Sequence, residues 1–223
     1  MTHWRKACEE AIRAHSEADA IRFWGFSHAS AEGPHPGFDY RFEHTLAVVK
    51  IGRWLAPLAG ADPEVVECAA WLHDCRKRLD TPDGKDRHAQ DASGVVAEIL
   101  AGTDFPPDKI PAVRRAIERH VGLKLTHVLE PVEAACLWDA DKLSKLGAAS
   151  ILHFAALAGA FQPVTTRMLL ERGQRWLELA EGIAASMNTE AGRTEAGLRL
   201  EFLKAHYRQL QREWADPMEA TLP

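Results

Sequence analysis

Residues 66–77, VECAAWLHDCRK, decide the fold class. Val66, Ala70, His73 and Lys77 stand at i, i+4, i+7 and i+11, the spacing of one face of an α-helix. That face is apolar until His73, so the histidine shares the stripe that turns toward a core. Asp74 sits about 100° around the helix from it. Upstream, Asp62-Pro63-Glu64 is a helix start: a capping side chain, a proline in the first turn and an acid at the positive end of the dipole. The spacing predicts a helix from there to about residue 77.

The same period recurs outward in both directions. Helices are predicted over about 2–23, 40–57, 87–100, 108–121, 130–145, 147–161, 165–187 and 189–214. They are separated by a Gly-, Ser- and Pro-rich loop at 24–38, by TPDG at 81–84 and by a break at 104–107. The last residues, 215–223, read as a frayed tail. No alternating strand pattern, repeat or strong linker interrupts this series. The expected fold is all-α, a single globular helical bundle over residues 1–223.

Composition fits that reading. The chain has 223 residues, 46% of them hydrophobic and 26% charged, as in an ordinary globular protein. It is long enough to bury a core without disulfide staples. No run approaches the ~20 apolar residues of a membrane span, and the charged N-terminus lacks the apolar segment of a signal peptide. A cytoplasmic location with no membrane partner is expected. Cys8, Cys68, Cys75 and Cys136 form no metal-binding or redox pair and read as buried thiols. A net charge of −5 argues against coating long nucleic acid.

Histidine is the residue type in excess, 11 in all, and its positions carry the chemistry. His44 precedes Ala47, Val48 and Ile51 on an inward stripe. His120 follows Val113 and Ile117 at i+7 and i+3. His88 opens a helix whose inner positions are Ala92, Val95, Val96 and Ile99. Asp141 lies in LWDADKLSKLG, on a helix apolar around most of its circumference. Any one buried histidine is commonly a core residue bonded to a carbonyl. Four of them with two aspartates at the inner edges of successive helices point to a bound cation, because buried carboxylates need compensation. Periodicity leaves Asp139 and Asp141 both open, since residues two apart on a helix point about 200° apart.

The order His44 … His73-Asp74 … Asp141 resembles the H…HD…D signature of the HD-domain superfamily of metal-dependent phosphohydrolases. The contexts FEHTLAVV, AAWLHDCRK and WDADKLSKLG carry the resemblance, over about residues 40–147. The stretch SMNTEAGRTEAGLRLEFLKAHYRQLQREW is similar to the closing helices of small bacterial HD hydrolases, which implies that helices 165–214 pack on this signature core. The family pattern of Asp-x-Leu favours Asp141, with Leu143, as the metal ligand. DRHAQDASGVVAEIL and IERHVGL resemble positions where some branches bind a second ion. The resemblance therefore implies either His44, His73, Asp74 and Asp141 at one ion with Asp74 bridging to another at His88 and His120, or one ion with those two histidines on substrate phosphate.

The implied reaction is hydrolysis of a phosphoester or phosphoanhydride in a small phosphorylated molecule, a nucleotide among the options. Asp74 would hold the ion and orient the attacking water. The HDxxK arrangement makes Lys77 a catalytic and phosphate-binding candidate, with Arg41 and Lys145 as further substrate-binding candidates. Arg76 and Arg78 read as cations favoured at a helix end, and the His28 and His35 loop as solvated. Nitrogen and oxygen donors suit Mn, Fe, Co, Ni, Zn or Mg, in one or two ions. Two other readings stand beside this one: a di-iron HD-type oxygenase, and a binding or regulatory module without turnover. Oligomeric state is not legible.

Overall fold

Asp39 caps the helix that carries the first histidine. Its carboxylate accepts from Phe42 N–H at 3.0 Å and from the Ser16 hydroxyl at 2.7 Å. The computed structural model describes residues 2–24, 27–30, 33–36, 38–78, 84–161 and 164–214. Among them, nine α-helices follow in order: α1 Trp4–Trp24, α2 Tyr40–Ala59, α3 Pro63–Leu72, α4 Gly84–Leu100, α5 Ile110–Glu118, α6 Val132–Leu143, α7 Ala148–Phe161, α8 Thr166–Ala184 and α9 Glu190–Trp214. The break at 81–83 and the tail from 215 lie outside the described residues. The fold is all-α, as the periodicity predicts, and no described helix is long and apolar enough to cross a membrane.

Two expectations need correction. The stretch read as a loop contains two short strands, β1 Ser27–Ser30 and β2 Gly33–Pro36, paired antiparallel. Strands of four residues are too short for an alternating pattern to reveal. The more consequential change is at α3, which ends at Leu72 rather than near residue 77. His73 is its C-cap, and Cys75 N–H and Lys77 N–H bond the carbonyls three residues back, Leu72 and Asp74, each at 3.1 Å. The chain thus tightens into successive turns at the His-Asp pair.

α3 and α6 pack on each other and both on α2 and α5, α4 lies on α5, and α9 lies across α2 and α6. Gly52 brings α2 close to α3: a Cβ there would stand 3.2 Å from Val66. One apolar cluster runs through these helices from Trp4 and Cys8 to Leu203.

Asp139 ties α9 to α6. Its carboxylate accepts from Asn188 N–H, Thr189 N–H and the Thr189 hydroxyl, each at 2.7 Å, and from the Asn188 amide at 3.2 Å. The Thr189 hydroxyl in turn accepts from Gly192 N–H at 2.9 Å. Gly192 permits this closure, because a Cβ there would lie 2.3 Å from the carboxylate. Asp139→Ala is expected to destabilise the fold by about 2–4 kcal/mol by orphaning a buried helix start. Chemical denaturation would measure it, and metal content should stay at the wild-type level.

Candidate metal centre

Three helices end at one place. His73 follows α3, His120 lies just beyond α5, and Asp141 stands in the last turn of α6. Each end is closed by a side chain bonding the carbonyl three residues back. His73 Nδ1 meets Ala70 O at 2.8 Å, His120 Nδ1 meets Ile117 O at 2.6 Å, and the Ser144 hydroxyl donates to Asp141 O at 2.7 Å. These contacts satisfy carbonyls left over at helix ends. They also aim the negative ends of three helix dipoles at a common point.

The tautomers follow. A carbonyl oxygen only accepts, so Nδ1 of His73 and of His120 carries a proton, and the His73 ring, held neutral by burial, leaves its Nε2 with a lone pair. Ser144 has spent its one proton on Asp141 O, so it accepts from His44 Nδ1 at 3.0 Å and leaves His44 Nε2 unprotonated as well. The Nε2 atoms of the four histidines converge. His73 Nε2 lies 3.3 Å from His44 Nε2, and His88 Nε2 lies 3.2 Å from His120 Nε2. His44 Nε2 is 3.1 Å from Asp141 Oδ1, and His73 Nε2 is 3.8 Å from Asp74 Oδ2. Asp74 Oδ1 faces His88 Nε2 at 3.4 Å and His120 Nε2 at 3.7 Å.

All six residues are no more than 5% exposed. Burial pushes His44 down to about 4 and His73 down to about 3, so both are neutral near pH 7. Burial opposes ionisation of Asp74, but Lys77 and the histidines outweigh it and hold the carboxyl well below its ordinary range. Lys142 and Lys145 do the same for Asp141. Asp74 Oδ1 is nevertheless buried with no hydrogen-bond donor among the described residues. Lone pairs facing lone pairs and an orphaned carboxylate oxygen leave an electron-rich hole, and a divalent cation is what it fits. Two overlapping sets have donor atoms within 4.8 Å of one another: His44, His73 and Asp141, and His73, Asp74 and His120.

The six residues expected from the sequence as ligands are therefore brought together. Asp139 is not among them, because its carboxylate is committed to α9. Lys77 Nζ bonds Asp74 Oδ2 at 2.8 Å with its side chain 32% exposed, and His15 Nε2 bonds the Lys77 carbonyl at 3.0 Å. The Lys145 ammonium bonds Asp141 Oδ1 and is pushed by burial down to about 8. Arg41 is buried at the start of α2 and held by Asp19 at 2.9 Å. Arg76 and Arg78 are exposed, and the side chains of His28 and His35 lie outside what is described.

Three residues at the centre were missed. Lys142 is buried, bonds Asp141 Oδ2 and the His120 carbonyl, and lies 4.1 Å over the Trp138 ring. Its signal was a lysine on a helix that is apolar nearly all round. Tyr40, four residues before His44, stacks on it at 5.8 Å. Ser144, three residues after Asp141, fixes the His44 tautomer. Ser144→Ala is expected to weaken metal affinity by about 10–100-fold, the usual cost of losing a partner that orients a ligand. Titration of the metal-free protein by calorimetry would measure it, and the His44 ring-nitrogen shifts would report the lost tautomer preference.

The neutral histidines also set an acid sensitivity. Their folded pKa values lie below the ordinary 6.5, so below that pH the unfolded chain gains protons the native centre refuses. Stability of the metal-stripped protein should fall as pH drops from about 6.5 toward 4. Asp74 and Asp141, held low, lose their contribution only at more acidic pH. Scanning calorimetry in chelator at about pH 7 and pH 5 would show a lower Tm at the second.

Comparisons with known proteins agree with this geometry. Residues 41–146 match the family model of the HD domain. An HD-superfamily hydrolase of Bacillus thuringiensis is 21% identical with a TM-score of 0.61, covering 95% of this chain and 98% of its own. Bacillus subtilis YpgQ, solved in complex with ADP, is 22% identical with a TM-score of 0.57, covering 89% and 98%. The Lin1889 protein of Listeria innocua is 18% identical with a TM-score of 0.57 and full coverage of both chains. At these identities the likeness is one of fold. No curated protein matches the sequence.

Proposed function

The chain belongs to the HD-domain superfamily through residues 41–146, and from that premise we propose that it is a metal-dependent phosphohydrolase acting on a small phosphorylated molecule. The observation that carries the reading is the buried set of four imidazoles and two carboxylates, with Nε2 atoms converging beside an Asp74 oxygen that has no hydrogen-bond partner among the described residues. A divalent ion held by His44, His73, Asp74 and Asp141 would lower the pKa of water from 15.7 to about 7 and offset charge on phosphoryl oxygens. Asp74, with one oxygen toward His73 and Lys77 and the other toward His88 and His120, would hold the ion and orient the attacking water. Lys77, on the partly exposed side of Asp74, binds a phosphoryl oxygen, and Lys145 lies against Asp141 to meet the same charge. Tyr40 walls the centre beside His44. YpgQ was solved with ADP, which supports a nucleotide as the first substrate to try.

The test is release of phosphate from nucleotides and sugar phosphates by protein loaded with Mn, Ni, Co, Fe or Mg. Hydrolysis should vanish with chelator and return with metal. Oxygen uptake by the iron form with no phosphate release from any compound would overturn the reading in favour of an oxygenase.

A further inference from the structure

The Asp141 carboxylate carries two ammonium groups, and they are not equivalent. Lys142 bonds Oδ2, whereas Lys145 bonds Oδ1. Oδ1 is also the oxygen that lies 3.1 Å from His44 Nε2. It is therefore the oxygen offered to the ligand group of His44 and His73.

Lys142 has nowhere else to go. Its side chain is 2% exposed. Its three N–H donors have the carboxylate oxygen, the His120 carbonyl at 3.2 Å and the face of the Trp138 ring at 4.1 Å. An ammonium moved off these partners would strand its charge away from water. His120 belongs to the other ligand group, so one buried cation joins the Asp141 carboxylate to the backbone beneath that group. Lys145 differs. Its side chain is 16% exposed, and its second bond, to the Asp141 carbonyl, is 3.2 Å long. Its flexible four-carbon stem can carry the ammonium outward to water or to a phosphoryl oxygen. The oxygen that a metal ion needs is thus covered by a cation able to move.

We propose that the two lysines divide the Asp141 carboxylate: Lys142 is a positioning residue that holds Oδ2 and keeps Oδ1 turned toward His44, while Lys145 covers Oδ1 and yields it when a divalent ion binds. The released Lys145 ammonium then stands beside the centre to meet a phosphoryl oxygen. The proposal rests on the metal centre of the phosphohydrolase reading and not on turnover. Charge alone makes a different prediction, since deleting either cation beside an ion site would strengthen binding.

The test titrates metal-free wild type, Lys142→Met and Lys145→Met with MnCl2 by calorimetry and compares the visible absorption of their Co(II) forms. Lys142→Met should bind Mn at least about tenfold more weakly. Its Co(II) spectrum should change, because a carboxylate with Oδ2 set free alters the donor set. Lys145→Met should bind Mn at least about threefold more tightly, with the wild-type Co(II) spectrum. Tighter binding in both variants would overturn the division in favour of charge alone and leave the centre intact. A lower Tm for Lys142→Met with the Co(II) spectrum unchanged would reduce Lys142 to a structural residue and overturn its positioning role. Should Lys142→Met fail to fold, Lys145→Met still decides, because Mn affinity at or below the wild-type value means that Lys145 does not cover the ligating oxygen. A wild type that binds no Mn would defeat the centre itself, and the division with it.

Discussion

Asp74→Ala is expected to yield a folded protein that holds no metal and is at least about a thousandfold less active. Asp74 lies between the two candidate ligand groups, which share His73, since its Oδ2 faces His73 and Lys77 while its Oδ1 faces His88 and His120. Removing it leaves any ion without its central anion, and water returns toward its ordinary acidity. The helices should survive, because Asp74 lies in a turn after α3 and the apolar cluster beneath it is untouched. Its partner Lys77 can turn to solvent, so no buried charge is stranded. The metal-free variant should even match or exceed the stability of the metal-free wild type, because an unsatisfied buried oxygen has been deleted. His73→Ala should lose metal in the same way but pay in stability, since Ala70 O at the end of α3 then lacks its donor. Elemental analysis with circular dichroism distinguishes these outcomes, and full metal occupancy in both variants would remove the pair from the ligand set.

The helical order and the inward histidines were legible because both depend on local spacing. His44 and His88 lie on helix faces, where a period of 3.6 residues reports direction, and their neighbours Val48, Ile51, Ala92 and Val96 announced the buried side. The end of α3 was not legible. Nothing between Leu72 and Lys77 is a Gly or Pro, and the apolar stripe runs on through His73. What stops the helix is tertiary: His73 closes its own turn on Ala70 O because its Nε2 is wanted at the centre. His120 does the same beyond α5. The choice between Asp139 and Asp141 also lay beyond periodicity, since each has a passable stripe. It is made by partners far along the chain, Asn188 and Thr189 for Asp139 and His44 for Asp141. Ser144 and Lys142 escaped for the same reason, because a hydroxyl or an ammonium declares its role only through what folding brings to it.

His88→Ala combined with His120→Ala is expected to lower metal content from about two ions per chain to about one, and kcat by at least about a hundredfold. The geometry favours two ions because the oxygens of Asp74 face different groups. Oδ2 belongs to the side of His73 and Lys77, while Oδ1 looks at His88 and His120, whose Nε2 atoms are 3.2 Å apart. A carboxylate with one oxygen on each side is suited to bridge. His44, His73 and Asp141 form their own group on the other side, so one ion should remain in the double variant. The scaffold at His120 should hold as well, because Lys142 bonds its backbone carbonyl rather than its ring. Should His88 and His120 contact substrate phosphate instead, the wild type would carry one ion, metal content would not change, and the loss would appear in KM. Two ions in the wild type and two in the double variant would exclude both histidines as ligands. Metal analysis of the two proteins, with kcat and KM measured separately, decides among these outcomes.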